Sequence, residues 1–188
     1  KMDEKVRCKW CLSSDLYKKY HDEEWGVPVY EDDKLFEFLI LETFQAGLSW
    51  ITILNKRENF RAAFNQFDYQ IIANYNESKI QELLLDVGII RNQLKIRAAV
   101  SNAIAFMKVQ EEFGSFSKYI WGFVDHKPII NRLRTLGNAQ ATTPLSDAIS
   151  KDLKKRGFKF VGSTVVYAHM QATGMVDDHV DDCWKRNN

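Results

Sequence analysis

Apolar residues recur along this chain at the three-to-four spacing of helices and almost nowhere at the alternation of strands. Over 33–46 the pattern puts Leu35, Leu39, Glu42 and Ala46 on one stripe. Gly47 breaks it, 48–57 resumes it as a second helix, and 58–64 reads as that helix's extension. Further helices are predicted over 77–86, 93–113, 116–124, 146–156 and 163–173. Ser146 stands as an N-cap with Pro144 just outside, and Gly157 and Gly174 follow periodic stretches as C-terminal caps do. Residues 136–144 read as a surface loop. The predicted class is all-α.

Two stretches read as helix, tight glycine turn, helix. LLLDVGIIRNQLKIRAAV turns at Gly88, and LKKRGFKFVGSTVVYAHM turns between Gly157 and Gly162. A helix start in such a unit presents unpaired N–H groups and the positive end of the helix dipole, which suits a phosphate. Lys154, Lys155, Arg156 and Lys159 flank the second unit. The same pattern also serves purely structural helix hairpins.

Length and composition narrow the class. A chain of 188 residues with 45% apolar content can bury a core as one compact unit. No stretch approaches the roughly 20 apolar residues of a membrane span, and the start KMDEKVRCKW carries no secretory hydrophobic run. A soluble, cytoplasmic protein is expected. The net charge of +1 gives no global reason for a polyanion partner, but the charges are segregated. Acidic residues crowd 22–24 and 31–33; basic ones crowd 91–97 and 151–159. That segregation is either ordinary solvated helix surface or one positive face.

Three cysteines, Cys8, Cys11 and Cys183, are too few for a disulfide framework at this size. Cys8 and His21 are separated by twelve residues, and His179 and Cys183 by three. The second spacing puts both side chains on one face of a helical turn. Two sulfurs and two nitrogens make a closed tetrahedral zinc site of the structural kind, whose consequence is mechanical. Closing so long a loop is worth on the order of 5 kcal/mol in the chain-entropy limit. Cys11 offers a competing ligand, because Cys8-x2-Cys11 is a common zinc half-site; the spacings alone leave that choice open. His126 and His169 have no ligand-spaced partner and read as ordinary surface or core residues.

Glu42 is the other anomaly. A carboxylate on an apolar stripe is costly unless something pairs with it, so it is either a functional acid or a partner to a helix end or an arginine. Trp10, Tyr17, Tyr20, Trp25 and Trp50 crowd the same region, with Phe44 near Glu42. Flat rings stack on nucleobases and attract cationic ones through the ring quadrupole.

Assembled, these segments resemble the 3-methyladenine DNA glycosylase I family of the helix-hairpin-helix glycosylase superfamily. RCKW, YHDEEWGVP, LFEFLILE, QAGLSWITILNKRENFRAAF, DVGIIRN, LKKRGFKFVG and DDHVDDC carry the resemblance nearly end to end. It implies an all-α helix-hairpin-helix fold over 1–188 as a single catalytic unit, with the hairpin around 146–174 and a zinc-tied region formed by 1–30 and 175–188. The family's zinc ligands fall on Cys8, His21, His179 and Cys183, which leaves Cys11 a bystander. Its base-recognising carboxylate falls on Glu42, and its pocket aromatics on Trp50, Tyr20, Tyr17 and Trp10. Gly47-Leu48 corresponds to the wedge that enters the duplex; Lys159, Gly162 and Ser163 fall on the DNA-binding hairpin.

The resemblance implies a monofunctional hydrolase that flips 3-methyladenine out of double-stranded DNA, breaks its N-glycosidic bond and releases the free base. An abasic site remains, without strand cleavage. A monomer is expected. One position departs from the family: Val176-Asp177-Asp178-His179 stands where Asn-Asp-His is common, so Asp177 occupies the catalytic aspartate position of the wider superfamily and is a candidate catalytic residue beside Glu42.

Overall fold

The structure, a computed structural model, describes residues 5–187; residues 1–4 and 188 of the expected zinc-tied region lie outside the described residues. Nine α-helices occur among them. They are α1 (Asp15–Glu23), α2 (Asp32–Gln45), α3 (Trp50–Ala63), α4 (Tyr69–Ile72), α5 (Glu77–Leu84), α6 (Gln93–Phe113), α7 (Phe116–Gly122), α8 (Pro144–Lys155) and α9 (Ser163–Ala172). No helix is long and apolar enough to cross a membrane among these residues.

Helix α2 is the axis of the fold. Every residue from Leu35 to Phe44 except Glu37 is buried, so the single stripe read from sequence is in fact a helix enclosed on nearly all sides. Phe36, Phe44, Phe60, Phe64, Phe67, Phe106, Phe116, Trp121 and Phe158 fill the main core around it. A second, smaller cluster joins the two ends of the chain: Cys8, Tyr20, Trp25, Phe38, Leu54, Ala172, Val180 and Cys183. His169 sits in the interior with its ring against the Leu35 carbonyl at 3.1 Å, and burial pushes its pKa down to about 4. It is a neutral core histidine.

Three features differ from the sequence expectation. Helices α1 and α4 escape the periodicity, α1 because its residues are largely polar and α4 because one turn is too short to show a period. Residues 129–130 and 176–177 pair as short parallel strands β1 (Ile129–Ile130) and β2 (Val176–Asp177) in an otherwise helical chain. The N-cap of α8 is Thr143, not Ser146. Pro144 is the first helical residue, where its missing N–H costs nothing, and Ser146 closes a reciprocal capping box with Thr143.

Gly174 ends α9 at φ +74°, and a Cβ there would meet Val27 C and Pro28 N at 2.4 Å. Backbone cannot retreat as a flexible side chain does. Gly174→Ala is expected to cost on the order of 3 kcal/mol, combining left-handed strain with overpacking; chemical denaturation against the parent chain measures it.

Candidate active site

The N-terminal segment, α1, α2, α3 and α9 converge on one cavity of ≈ 260 Å³, lined by Trp10, Tyr17, Tyr20, Trp25, Glu42, Gln45, Trp50, Ala168 and Gln171. Ser14 caps α1 through the Tyr17 N–H, which sets Tyr17 and Tyr20 one turn apart on the same side. Trp10 packs edge-on against Tyr17 at 4.9 Å and Trp25 at 5.0 Å, and Trp50 tilts against Tyr20 at 5.6 Å. The indole N–H groups of Trp10 and Trp50 are buried with no hydrogen-bond partner among the described residues. The cavity is therefore a ring of flat faces, two of whose indoles keep unpaired donors buried in the wall.

Glu42 is 3% exposed. Its carboxyl makes no hydrogen bond or ion pair among the described residues, and burial pushes its pKa up to about 8. The sequence alternatives of a helix cap or an arginine partner are thus not realised. In the resting protein at neutral pH this group is mostly a neutral acid, ready to ionise when a positive charge arrives. Tyr20 beside it is held well above the usual phenol range by burial and by Glu42.

A second cluster lies behind the cavity wall. The ligand atoms of Cys8, His21 and Cys183 lie within 4.8 Å of one another, all buried, and could hold a metal ion. His179 brings its ring centroid to 5.0 Å from that of His21, with a buried Nε2 that has no partner among the described residues. Each histidine is oriented through its other nitrogen: His21 Nδ1 meets Asp22 at 2.8 Å, and His179 Nδ1 meets Asp177 at 2.7 Å. Carboxylate-oriented imidazoles are the usual surroundings of metal ligands. Burial pushes the Cys8 thiol up to about 12, so a thiolate there needs a cation. Cys11 points its thiol at the Cys8 carbonyl, 3.1 Å away, and stays outside the cluster.

The methyladenine glycosylase family profile matches residues 10–186. The chain belongs to that family. It is 49% identical over 177 residues to DNA-3-methyladenine glycosylase 1 of Escherichia coli, covering 94% of this chain and 95% of that one. A crystal structure of a 3-methyladenine DNA glycosylase I matches with a TM-score of 0.92 at 50% identity, over 95% of this chain and 98% of that one. A structure on 3-methyladenine recognition by the Staphylococcus aureus 3-methyladenine DNA glycosylase I matches with a TM-score of 0.93 at 34% identity, over 96% of both chains.

In this methyladenine glycosylase chain the remaining sequence-derived positions are dispersed. Gly47 takes φ +82° in the α2–α3 turn, and Leu48 beside it is 37% exposed. Lys159 is exposed in the α8–α9 connection; Gly162 caps α9 without a side-chain bond, and the Ser163 hydroxyl is engaged by Ser146 and Asp147. The basic clusters are thinner than the sequence suggested, because Arg97 pairs with Glu77, Arg156 with Asp152 and Glu112, and Lys95 is buried. Asp177 lies outside the cavity lining. Its Oδ1 accepts from the His179 backbone and ring, and Arg186 stands 3.3 Å from its Oδ2.

Sequence reasoning misses Gln45, Ala168 and Gln171. Gln45 follows Glu42 by three residues, so helical spacing alone could have placed it on the same face. Nothing local marks Ala168 or Gln171, since they reach the cavity only through the packing of α9 against α2.

Proposed function

We propose that this chain excises 3-methyladenine from duplex DNA, hydrolysing the N-glycosidic bond of a flipped nucleotide and leaving an abasic site. The observation that carries this is the buried, partnerless Glu42 carboxyl inside an aromatic cavity. Methylation at N3 makes the base cationic, so it departs neutral and needs no strong acid. A positive ring in the cavity gains from Trp50 and its neighbours about 0.5–2 kcal/mol. It also lowers the pKa of Glu42, which releases its proton to solvent, and the carboxylate then accepts charge-assisted bonds from the adenine edge. Unmodified adenine gains neither, and extruding an undamaged base costs more. Water then attacks the oxocarbenium-like sugar; no lysine lines the cavity to act as a nucleophile, which supports release without strand cleavage.

Leu48 is the wedge that fills the gap left by the base, and Gly47 gives the turn its left-handed bend. The α8–α9 unit is the helix-hairpin-helix, offering α9's first N–H groups and Lys159 to phosphate. Cys8, His21, His179 and Cys183 are the set for Zn²⁺: two sulfurs and two nitrogens, with the orphaned His179 Nε2 as the fourth donor. Zinc bound there supplies a crosslink between the chain's ends. Asp177 orients His179, so its part is to position a ligand.

Because kcat/KM follows the free enzyme's ionisations, its value on methylated duplex is expected to climb with pH, pass its half-maximum near 8 as Glu42 ionises in the empty cavity, and level off above that. Glu42→Gln should flatten the curve. A wild-type profile without a rise between pH 6 and 8 overturns the assignment, and failure to release free 3-methyladenine at any pH overturns the function.

A further inference from the structure

Among the buried positions of α6, two are polar, Lys95 and Asn102. A helix that served only the core would carry apolar side chains there at lower cost. Both are instead committed to the backbone of distant turns. Lys95 Nζ donates to the carbonyls of Phe44 at 3.0 Å and Ala46 at 2.8 Å, where α2 ends. Asn102 holds Lys159 from both sides: its Nδ2 donates to the Lys159 carbonyl at 3.1 Å, and its Oδ1 accepts from the Lys159 N–H at 2.8 Å.

The two grips share a design. Each fixes the residue immediately before one in left-handed conformation: Ala46 precedes Gly47 at φ +82°, and Lys159 precedes Phe160 at φ +57°. Phe160 is a phenylalanine in a region that L side chains avoid, and it is 39% exposed. Such a conformation persists only where its surroundings enforce it, and such strain gathers at functional turns. Lys95 and Asn102 are seven residues apart, two helical turns, so they face the same side of α6 at a separation of about 10 Å along its axis.

We infer that α6 is a spacer that sets the distance between the Gly47–Leu48 turn and the 157–162 turn, so that wedge and phosphate grip engage one duplex in register. This rests on the reading of Leu48 as the wedge and of the α8–α9 turn as the DNA-binding hairpin. Lys95 and Asn102 are positioning residues: they touch neither base nor phosphate and act through Ala46 and Lys159. Gln45 extends the chain of contacts to the cavity, since it lines the cavity and its Nε2 donates to the Leu48 carbonyl at 2.6 Å.

A double-mutant cycle of Lys95→Met and Asn102→Ala tests this, with single-turnover excision from methylated duplex and free 3-methyladenine affinity as the two readouts. Each single variant is expected to lower duplex excision at least 30-fold while base affinity stays within about threefold. The double variant should fall no more than about threefold below the weaker single, because a register once lost cannot be lost again. Losses that multiply, or base affinity that falls in step with excision, overturn the spacer. Should Lys95→Met fail to fold, Lys95→Arg takes its place in the cycle, keeping charge and donors while lengthening the grip. Leu48→Ala separates the two readings: unchanged duplex excision in that variant removes the wedge assignment itself. Impaired excision there, with Lys95 and Asn102 variants like wild type, removes only the spacer.

Discussion

Glu42→Gln is expected to lose base excision by at least about 100-fold, the worth of a charge-assisted hydrogen bond and of the lost charge attraction, and at the same time to melt at a higher temperature than the wild type. The second half follows from burial. The folded protein holds the Glu42 carboxyl at about 8 against an ordinary 4.5, so the native state binds the proton more tightly than the unfolded chain. Below pH 4.5 both states are protonated and Glu42 has no effect on stability. From 4.5 up to 8 the unfolded chain ionises while the native state does not, and stability falls by about 1.4 kcal/mol per pH unit.

At pH 7 the accumulated cost is about 3 kcal/mol, which at this chain length corresponds to roughly 6–12 °C in Tm. The amide of the Glu42→Gln variant does not ionise and carries no such penalty. The gain should shrink to nothing as the pH is lowered to 4.5, and calorimetry across that range reads it. A variant no more stable than wild type at pH 7 would mean that Glu42 is solvated or paired, and that the cavity does not hold it ready for a cation. Stability sacrificed at a binding group is common where function needs an unpaired acid.

Removing the proposed zinc is the second large effect. Cys183→Ser, or prolonged chelation of the wild type, is expected to abolish stoichiometric zinc and to lower stability by up to about 5 kcal/mol, the chain-entropy value for so long a crosslink. The loss should extend to the cavity. Trp10 lies between Cys8 and Cys11, its ring 5.4 Å from that of His21, and Tyr20 precedes His21 in α1. The cavity wall and the cluster are the same segment of chain, so the purely mechanical part expected of the metal includes holding that wall. Free 3-methyladenine affinity should therefore weaken in the metal-free protein even where it stays folded. A Cys183→Ser protein that retains one zinc per chain would disprove the ligand set; one that loses zinc without loss of stability would disprove the crosslink. Asp177→Ala is expected to lower zinc affinity about 10- to 100-fold, through the loss of His179 orientation.

The long helices are legible because each is a local pattern. The 21 residues of α6 are delimited at both ends by sequence alone, and Gly47, Gly157 and Gly174 mark turns that do require left-handed backbone. Glu42 stands out as a carboxylate on an apolar stripe, and the aromatic residues and ligand spacings are visible in the chain itself. What sequence could not show is which groups go without a partner. The isolation of Glu42, the spare Nε2 of His179 and the spare indole donors are properties of surroundings built from distant segments. The same holds for Lys95 and Asn102, which read as ordinary polar positions of a helix until their partners, 51 and 57 residues away, fall into place. Periodicity encodes which face of a helix is buried, because neighbours along a turn fix that face. Desolvation, pairing and spacing between turns arise only when helices pack, and those were decided by the tertiary structure.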